Sequence, residues 1–168
     1  MKVRIFSLLF SLLFIVGCGY KPTISYANNA ISGKTYVNVK IDIKNAKNTV
    51  LIKDALVELL ISKFDVKITN NKDEAESFVK GVLKSVKEVQ LQSDTQGFAK
   101  IYRETVSVKI DYHKRGSKIV SFTLSNYYDF TVDTDSSITQ TKKDEAIKIA
   151  ISKALTDIFS KIAINSFK

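Results

Sequence analysis

Residues 105–132, TVSVKIDYHKRGSKIVSFTLSNYYDFTV, hold two alternating runs separated by a turn, and this stretch decides the fold. The apolar positions of the first run are Val106, Val108, Ile110 and Tyr112. Those of the second run, over residues 119–133, are Val120, Phe122, Leu124, Tyr128, Phe130 and Val132. A period of two places one side of a strand against a core and the other in water. The stretch therefore predicts two strands, each with one apolar face.

The turn between the runs, Lys114-Arg115-Gly116-Ser117, has a glycine where a tight turn needs a positive φ. Two long strands joined by such a turn predict an antiparallel hairpin. Because each strand keeps one polar face, we expect the sheet to be covered on one side only.

Further elements are predicted outward from the hairpin in both directions. Alternating runs at 35–43, 78–91 and 98–113 indicate strands, and 65–69 indicates a short one. Gly81 suggests a bulge inside the strand that contains it. Apolar residues at helical spacing predict helices over 49–63 and 141–164. With 168 residues a single domain is expected, here over 35–168. The fold class is α+β, a two-layer sandwich of about four mainly antiparallel strands with two helices on one face.

The amino terminus predicts an exported protein. Met1-Lys2-Val3-Arg4 is basic, and the twelve residues that follow, 5–16, carry no charge. They are too few to cross a hydrocarbon layer of about 30 Å, which favours a signal peptide over 1–17. Ile15-Val16-Gly17-Cys18 resembles the lipobox of bacterial lipoproteins, which implies that Cys18 is acylated and that 18–34 form a lipidated tether.

Gly19 stands where aspartate signals inner-membrane retention in many diderm bacteria. We therefore expect the outer membrane, with the domain on its periplasmic side. Removal of 1–17 takes away Lys2 and Arg4, so the charge falls from +9 to +7. Export argues against nucleic acid as a partner. The positive charge suits anionic lipid, lipopolysaccharide phosphates or an acidic protein surface, or it simply keeps the domain soluble.

Catalytic chemistry has little support in the composition. The chain has one Cys and one His, which argues against a disulfide framework, a multi-Cys zinc site and a His-based triad. We interpret His113 as a solvated turn residue. Asp133-Thr134-Asp135-Ser136-Ser137 begins like a calcium loop, but Ile138 stands where the sharp turn needs glycine. No metal, cofactor or catalytic residue is predicted.

Basic residues gather in three places. The clusters are Lys114, Arg115 and Lys118; Lys100 and Arg103; and Lys142 and Lys143. A solvated charged rim is the simpler explanation of each cluster, and binding to an anion is the alternative.

Cys18-Gly19-Tyr20 after the signal, followed by this order of strands and helices, resembles the LptE family of lipopolysaccharide-assembly lipoproteins over essentially the whole mature chain. The resemblance implies a non-enzymatic subunit that sits inside the LptD β-barrel and binds lipopolysaccharide. In the family, basic residues before a middle strand and before the last helix bind the lipid. By this resemblance the lipopolysaccharide-binding candidates are Lys100, Arg103, Lys142 and Lys143, although the turn 93–97 itself has no basic residue.

Two other functions stay open. A lipoprotein that activates a peptidoglycan synthase usually has a longer tether than the seventeen residues 18–34. A periplasmic hydrolase would need a nucleophile and a base that the sequence does not pair, since it lacks a Gly-x-Ser-x-Gly elbow.

Overall fold

The computed structural model describes residues 30–40, 46–93, 95, 99–132 and 138–165. The predicted signal peptide, Cys18 and most of the tether lie outside the described residues, as do Asp133-Thr134-Asp135-Ser136-Ser137. The elements in chain order are β1 (Lys34–Lys40), α1 (Ala46–Phe64), β2 (Lys67–Thr69), β3 (Ser77–Ser93), β4 (Ala99–Lys114), β5 (Val120–Thr131), α2 (Gln140–Thr156) and α3 (Ile158–Asn165). No helix in the described ranges is both long and apolar enough to cross a membrane.

The predicted α+β class is confirmed, with one open mixed sheet in the order β2-β1-β3-β4-β5. β1 pairs with β2 and β3 in parallel, whereas β3–β4 and β4–β5 are antiparallel. The predicted count of about four strands is one short because the three-residue β2 joins the sheet at its edge. Gly116, at φ 78°, closes the β4–β5 hairpin as predicted.

All helices pack on one face of the sheet, and the core lies between the two layers. Its most deeply buried members include Val79, Val106, Val108 and Ile110 from the sheet, Ile52, Leu56 and Leu60 from α1, and Ile151, Leu155, Ile158 and Ile162 from α2 and α3. The even-numbered positions of β4 therefore form the helix-covered face. The odd-numbered positions form the opposite face, which we call the open face.

Gly81 does not form the bulge that the sequence suggests. It pairs regularly with Ile110, and the register shifts farther along, between Leu83 and Ser85. A Cβ at Gly81 would lie 3.3 Å from the Val39 Cγ2 atom, closer than usual, and 3.6 Å from the Ile52 Cγ2 atom of α1, an ordinary contact. A side chain larger than a methyl group therefore has no room between β3 and α1.

The helix boundaries differ from prediction in three places. α1 begins at Ala46, three residues before the predicted start at Thr49, which is buried within the helix. α2 is capped by Thr139, two residues before the predicted start at 141, and the Thr139 hydroxyl accepts the Lys142 N–H at 3.3 Å. The last helix is split at Asp157, and the bend brings the ring of Phe159 to 5.2 Å from that of Phe64.

The two ends of the sheet differ in what they present. At one end β1 begins at Lys34, next to Ser77 and the 114–117 turn; we call it the tether end because the chain arrives there from Cys18. The opposite end, where β3 finishes at Ser93 and β4 begins at Ala99, is the tip end.

Candidate functional site

Arg103 lies at the tip end on the open face, where it is held by a neighbouring strand. Its Nε and Nη2 atoms donate to the two carboxylate oxygens of Asp129 at 2.6 and 2.7 Å. The guanidinium carbon also lies 3.7 Å from the centre of the Tyr127 ring. The hydrogen bonds from Arg103 lower the pKa of Asp129 and raise that of Arg103 itself. The guanidinium is therefore fixed in place while remaining about one-third exposed.

Lys143 lies at the same end but on the helix-covered side of the sheet. From the first turn of α2 its Nζ atom donates to the Oε1 atom of Glu88 at 3.0 Å and lies 2.9 Å from Oε2. This hydrogen bond raises the pKa of Lys143. The contact ties the start of α2 to β3.

Glu104, opposite Glu88 on the adjacent strand, is only 2% exposed. Among the described residues its Oε2 atom has no hydrogen-bond partner. Burial, followed by the hydrogen bond and the negative charge of Glu88, raises the pKa of Glu104 to about 7, and Lys143 opposes the rise. Two carboxyl groups and one ammonium therefore meet next to the tip end, where Glu104 is buried and Glu88 and Lys143 are about one-third exposed.

The predicted lipid-binding residues are brought to one end of the molecule but not onto one surface. Arg103 lies on the open face, whereas Lys143, a residue of α2, lies on the helix-covered side of the sheet. Lys142 is half-buried in the first turn of α2. The backbone of Lys100 lies at the start of β4, and its side chain is outside the described part of the structure.

Sequence reasoning missed the acidic partners of these cations. Glu104 continues the alternation of Val106 and Val108, so it occupies a position where an apolar residue is expected. A charged residue at such a position could have indicated a buried carboxyl group. Asp129 could not be found from local sequence, because its pairing with Arg103 depends on the β4–β5 register.

Exposed apolar side chains surround Arg103. Val89 is its register neighbour on β3, and Tyr127 lies beneath its guanidinium. Leu91, two residues beyond Val89, is also exposed. A fixed cation among exposed apolar groups offers contacts to a molecule that has both an anionic and an apolar part.

Three aromatic rings lie side by side at the tether end of the open face. Tyr36 pairs in register with Phe78, and Phe78 with His113. The rings of Phe78 and His113 stack at 4.9 Å, and those of Tyr36 and Phe78 lie 6.4 Å apart. The interpretation of His113 as a solvated turn residue is wrong, because it lies inside β4 and is half-buried against Phe78. These rings line a pocket of about 220 Å³ together with Lys72 and Ile119.

Within the described ranges no cluster of three or more His, Cys, Asp or Glu residues could hold a metal ion. The chemistry that these surfaces offer is recognition by charge, aromatic stacking and apolar contact.

A family model shows the family of this chain, and solved structures show its fold. A family model described as LptE, lipopolysaccharide-assembly, matches residues 36–162. No curated protein matches the chain.

Solved lipoproteins share the architecture. Rare lipoprotein B from Shewanella oneidensis superimposes with a TM-score of 0.54 at 15% identity, covering 79% of this chain and 96% of that one. Lipoprotein B from Nitrosomonas europaea, described as uncharacterized, gives 0.55 at 12% identity, with 89% and 94% covered. A putative lipoprotein from Caulobacter crescentus gives 0.53 at 10% identity, with 86% and 96% covered. At these identities the likeness establishes the fold alone.

Proposed function

The chain belongs to the LptE lipopolysaccharide-assembly family, and from that membership we propose that it is the lipid-anchored, non-enzymatic partner of an LptD-type β-barrel in the outer membrane. In this proposal it occupies the barrel lumen, supports the assembly of the barrel and contacts lipopolysaccharide in transit. The observation that carries the proposal is the family match over 36–162, which spans the sheet and nearly all of the helices.

The open face supports a position inside a barrel. Two of its cations are paired within the face, with Lys109 to Asp111 at 2.9 Å and Arg103 to Asp129 at 2.6 Å. By strand register the exposed Lys80 and Lys87 lie on the same face and add positive charge. Hydroxyl side chains such as Thr123 also lie there. A polar surface suits a barrel interior, which is polar and water-filled.

The tip end supports contact with lipopolysaccharide. Arg103 offers a guanidinium to a phosphate or carboxylate, and Val89 and Leu91 offer apolar surface beside it. Lys143 is less suited to this contact because it lies on the helix-covered side of the sheet, away from Val89 and Leu91. We therefore assign the leading contact to Arg103, with Lys100 and Lys142 at the margin and Lys143 in a supporting role.

The proposed anchor is Cys18, acylated after removal of 1–17. Several acyl chains hold a protein at a bilayer far more firmly than one chain does. Together with Gly19, this places the domain at the inner surface of the outer membrane.

Depletion of the protein in its own organism tests the proposal. We expect less lipopolysaccharide at the cell surface and fewer correctly assembled barrels, because the barrel would lose the subunit that fills it. Re-expression of the Cys18→Ala chain should fully restore neither the surface lipopolysaccharide nor the number of correctly assembled barrels. Unchanged surface lipopolysaccharide after depletion would overturn the proposal.

A further inference from the structure

The tether end of the open face carries a compact aromatic and cationic surface, which we call the tether-end platform. It consists of Tyr36, Phe78, His113, Lys72, Arg115 and Ile119. Ile119 is 64% exposed, the most exposed large apolar side chain of the described residues. The platform is separate from the tip end, where the proposed function places lipopolysaccharide.

Two cations of the platform are held over its rings. The Lys72 Nζ atom lies 5.4 Å from the centre of the Tyr36 ring, and the Arg115 guanidinium carbon lies 5.5 Å from that of Phe78. Arg115 is fixed by backbone rather than by an acid, since it donates to the carbonyl oxygens of Lys72, Asp73 and Ala75 at 2.7 to 3.0 Å. These contacts with neutral carbonyl oxygens hold the guanidinium in place without cancelling its charge.

The acids nearby are largely occupied. Asp111 is bound by Lys109 and by the hydroxyl of Ser121, and Glu74 is bound by Lys34 at 2.7 Å. The Glu76 carboxylate accepts the backbone N–H of Lys34 at 3.4 Å, and Asp73 is an exposed acid beside Lys72. Lys114 and Lys118 in the adjoining turn add further positive charge. The surface therefore favours an anionic partner.

We propose that the tether-end platform docks on an anionic phospholipid surface when the acylated chain is held at the bilayer. The inference rests on the proposed acylation of Cys18. Lys72 and Arg115 contact lipid phosphates, the rings lie at headgroup depth, and Ile119 enters the boundary of the acyl chains.

The path of the chain supports this partner over an acidic protein. β1, the first strand after Cys18, begins at Lys34. The start of β1 is the end of the sheet that carries the platform, so the platform lies at the end nearest to the anchor along the chain. Residues 30–33 already pack on the domain, since Ile31 is fully buried and the Ser32 N–H donates to the Ser77 hydroxyl. The twelve-residue separation between Cys18 and Ala30 spans at most about 43 Å, which allows contact without forcing it. A tether of that length keeps the platform at high local concentration near the lipid, so a weak surface suffices. Aromatic and basic side chains beside an exposed aliphatic one are typical of proteins at membrane interfaces.

The test uses the full acylated chain in lipid nanodiscs whose headgroups carry a quencher. The sequence has one cysteine, and acylation blocks it, so a single introduced cysteine can be labelled cleanly. Two labels are compared, at Ser117→Cys on the tether end and at Ser93→Cys on the tip end; both residues are exposed. With phosphatidylglycerol present we expect about threefold more quenching at 117 than at 93, and equal quenching in pure phosphatidylcholine or high salt.

A charge and contact variant checks that the platform is responsible. Lys72→Glu with Ile119→Ser should reduce quenching at 117 to the level seen at 93. The matched control, Lys84→Glu with Val89→Ser, makes the same chemical changes toward the tip end and should leave quenching at 117 unchanged. Circular dichroism confirms that both variants are folded.

The outcomes separate this inference from the proposed function. An acylated chain with equal quenching at both labels in anionic nanodiscs overturns the docking alone. Quenching at 117 that survives the platform variant also overturns it. A chain that mass spectrometry shows to be unacylated removes the anchor on which both proposals depend.

Discussion

Glu104 shows how a single residue can set a pH dependence. It is 2% exposed and lies opposite Glu88, so its carboxyl group loses hydration and faces a negative charge. Its pKa is about 7 in the folded chain, against a usual value of 4.5. Between these values the folded chain binds a proton that the unfolded chain has released. The resulting stabilisation is complete below pH 4.5 and is lost as the pH rises through 7.

The Glu104→Gln variant tests this assignment. Gln is neutral at every pH, so the variant should be more stable than the parent at pH 8 by about 1–2 kcal/mol, an advantage that the charge of Lys143 limits. The difference should shrink toward zero near pH 5. Urea unfolding across pH 5–8 measures it, with Glu58→Gln on the exposed side of α1 as the control. A constant difference between the two chains over that range would contradict the assignment.

Arg103 is the residue that we expect to matter most for lipid contact. Arg103→Ala should weaken lipopolysaccharide binding by about tenfold, because it removes a charge-assisted contact that is already held in place by Asp129. Lys148→Ala, on an exposed part of α2, removes the same charge and should change binding less than twofold. Equal losses in the two variants, measured by fluorescence titration, would show that only net charge matters.

At the scale of elements, the contact of α1 with the sheet depends on Gly81. A side chain there would extend from the strand toward Ile52 and Leu56 on the helix and toward Val39 beside it. Gly81→Val should therefore destabilise the fold by about 2–4 kcal/mol, because α1 has to move away from the sheet. Lys80→Val, the preceding residue but on the open face, should stay within about 0.5 kcal/mol of the parent. Thermal unfolding compares them, and similar melting temperatures would mean that α1 does not pack as described.

The secondary structure was largely predictable because period-two and helical patterns are local. The alternation of Val106, Val108 and Ile110 alone predicts which face of β4 the helices cover. The parallel pairing of β1 with β2 and β3 was not predictable, since it joins residues that are more than thirty positions apart. The break at Asp157 was not predictable either, because the helical spacing of the apolar residues continues across it from Leu155 to Ile158 and Ile162.

The basic residues of the candidate site could be chosen from the sequence, but their partners could not. Arg103 in β4 and Lys143 in α2 lie at the same end of the molecule, on opposite sides of the sheet. Their acids, Asp129 and Glu88, come from other strands and become neighbours only through strand register and helix docking. For the same reason the aromatic row at the tether end, which joins three strands, left no local mark in the sequence.

At the scale of the whole molecule, the chain has one face covered by helices and one polar face left open. Its two ends are chemically distinct, with a fixed arginine among apolar groups at the tip end and aromatic rings with basic residues at the tether end. Such polarity suits a subunit that is held at a membrane from one end and meets its ligand at the other. The proposed function further requires that an LptD-type β-barrel surrounds most of this domain.

Purification of the acylated chain from detergent-solubilised outer membrane tests that requirement most directly. With an affinity tag after Lys168, an LptD-type β-barrel should co-purify at near-equal stoichiometry and remain bound through a high-salt wash, since the proposed contact encloses most of the domain. The chain recovered without such a barrel, or with only trace amounts of one, would contradict the account.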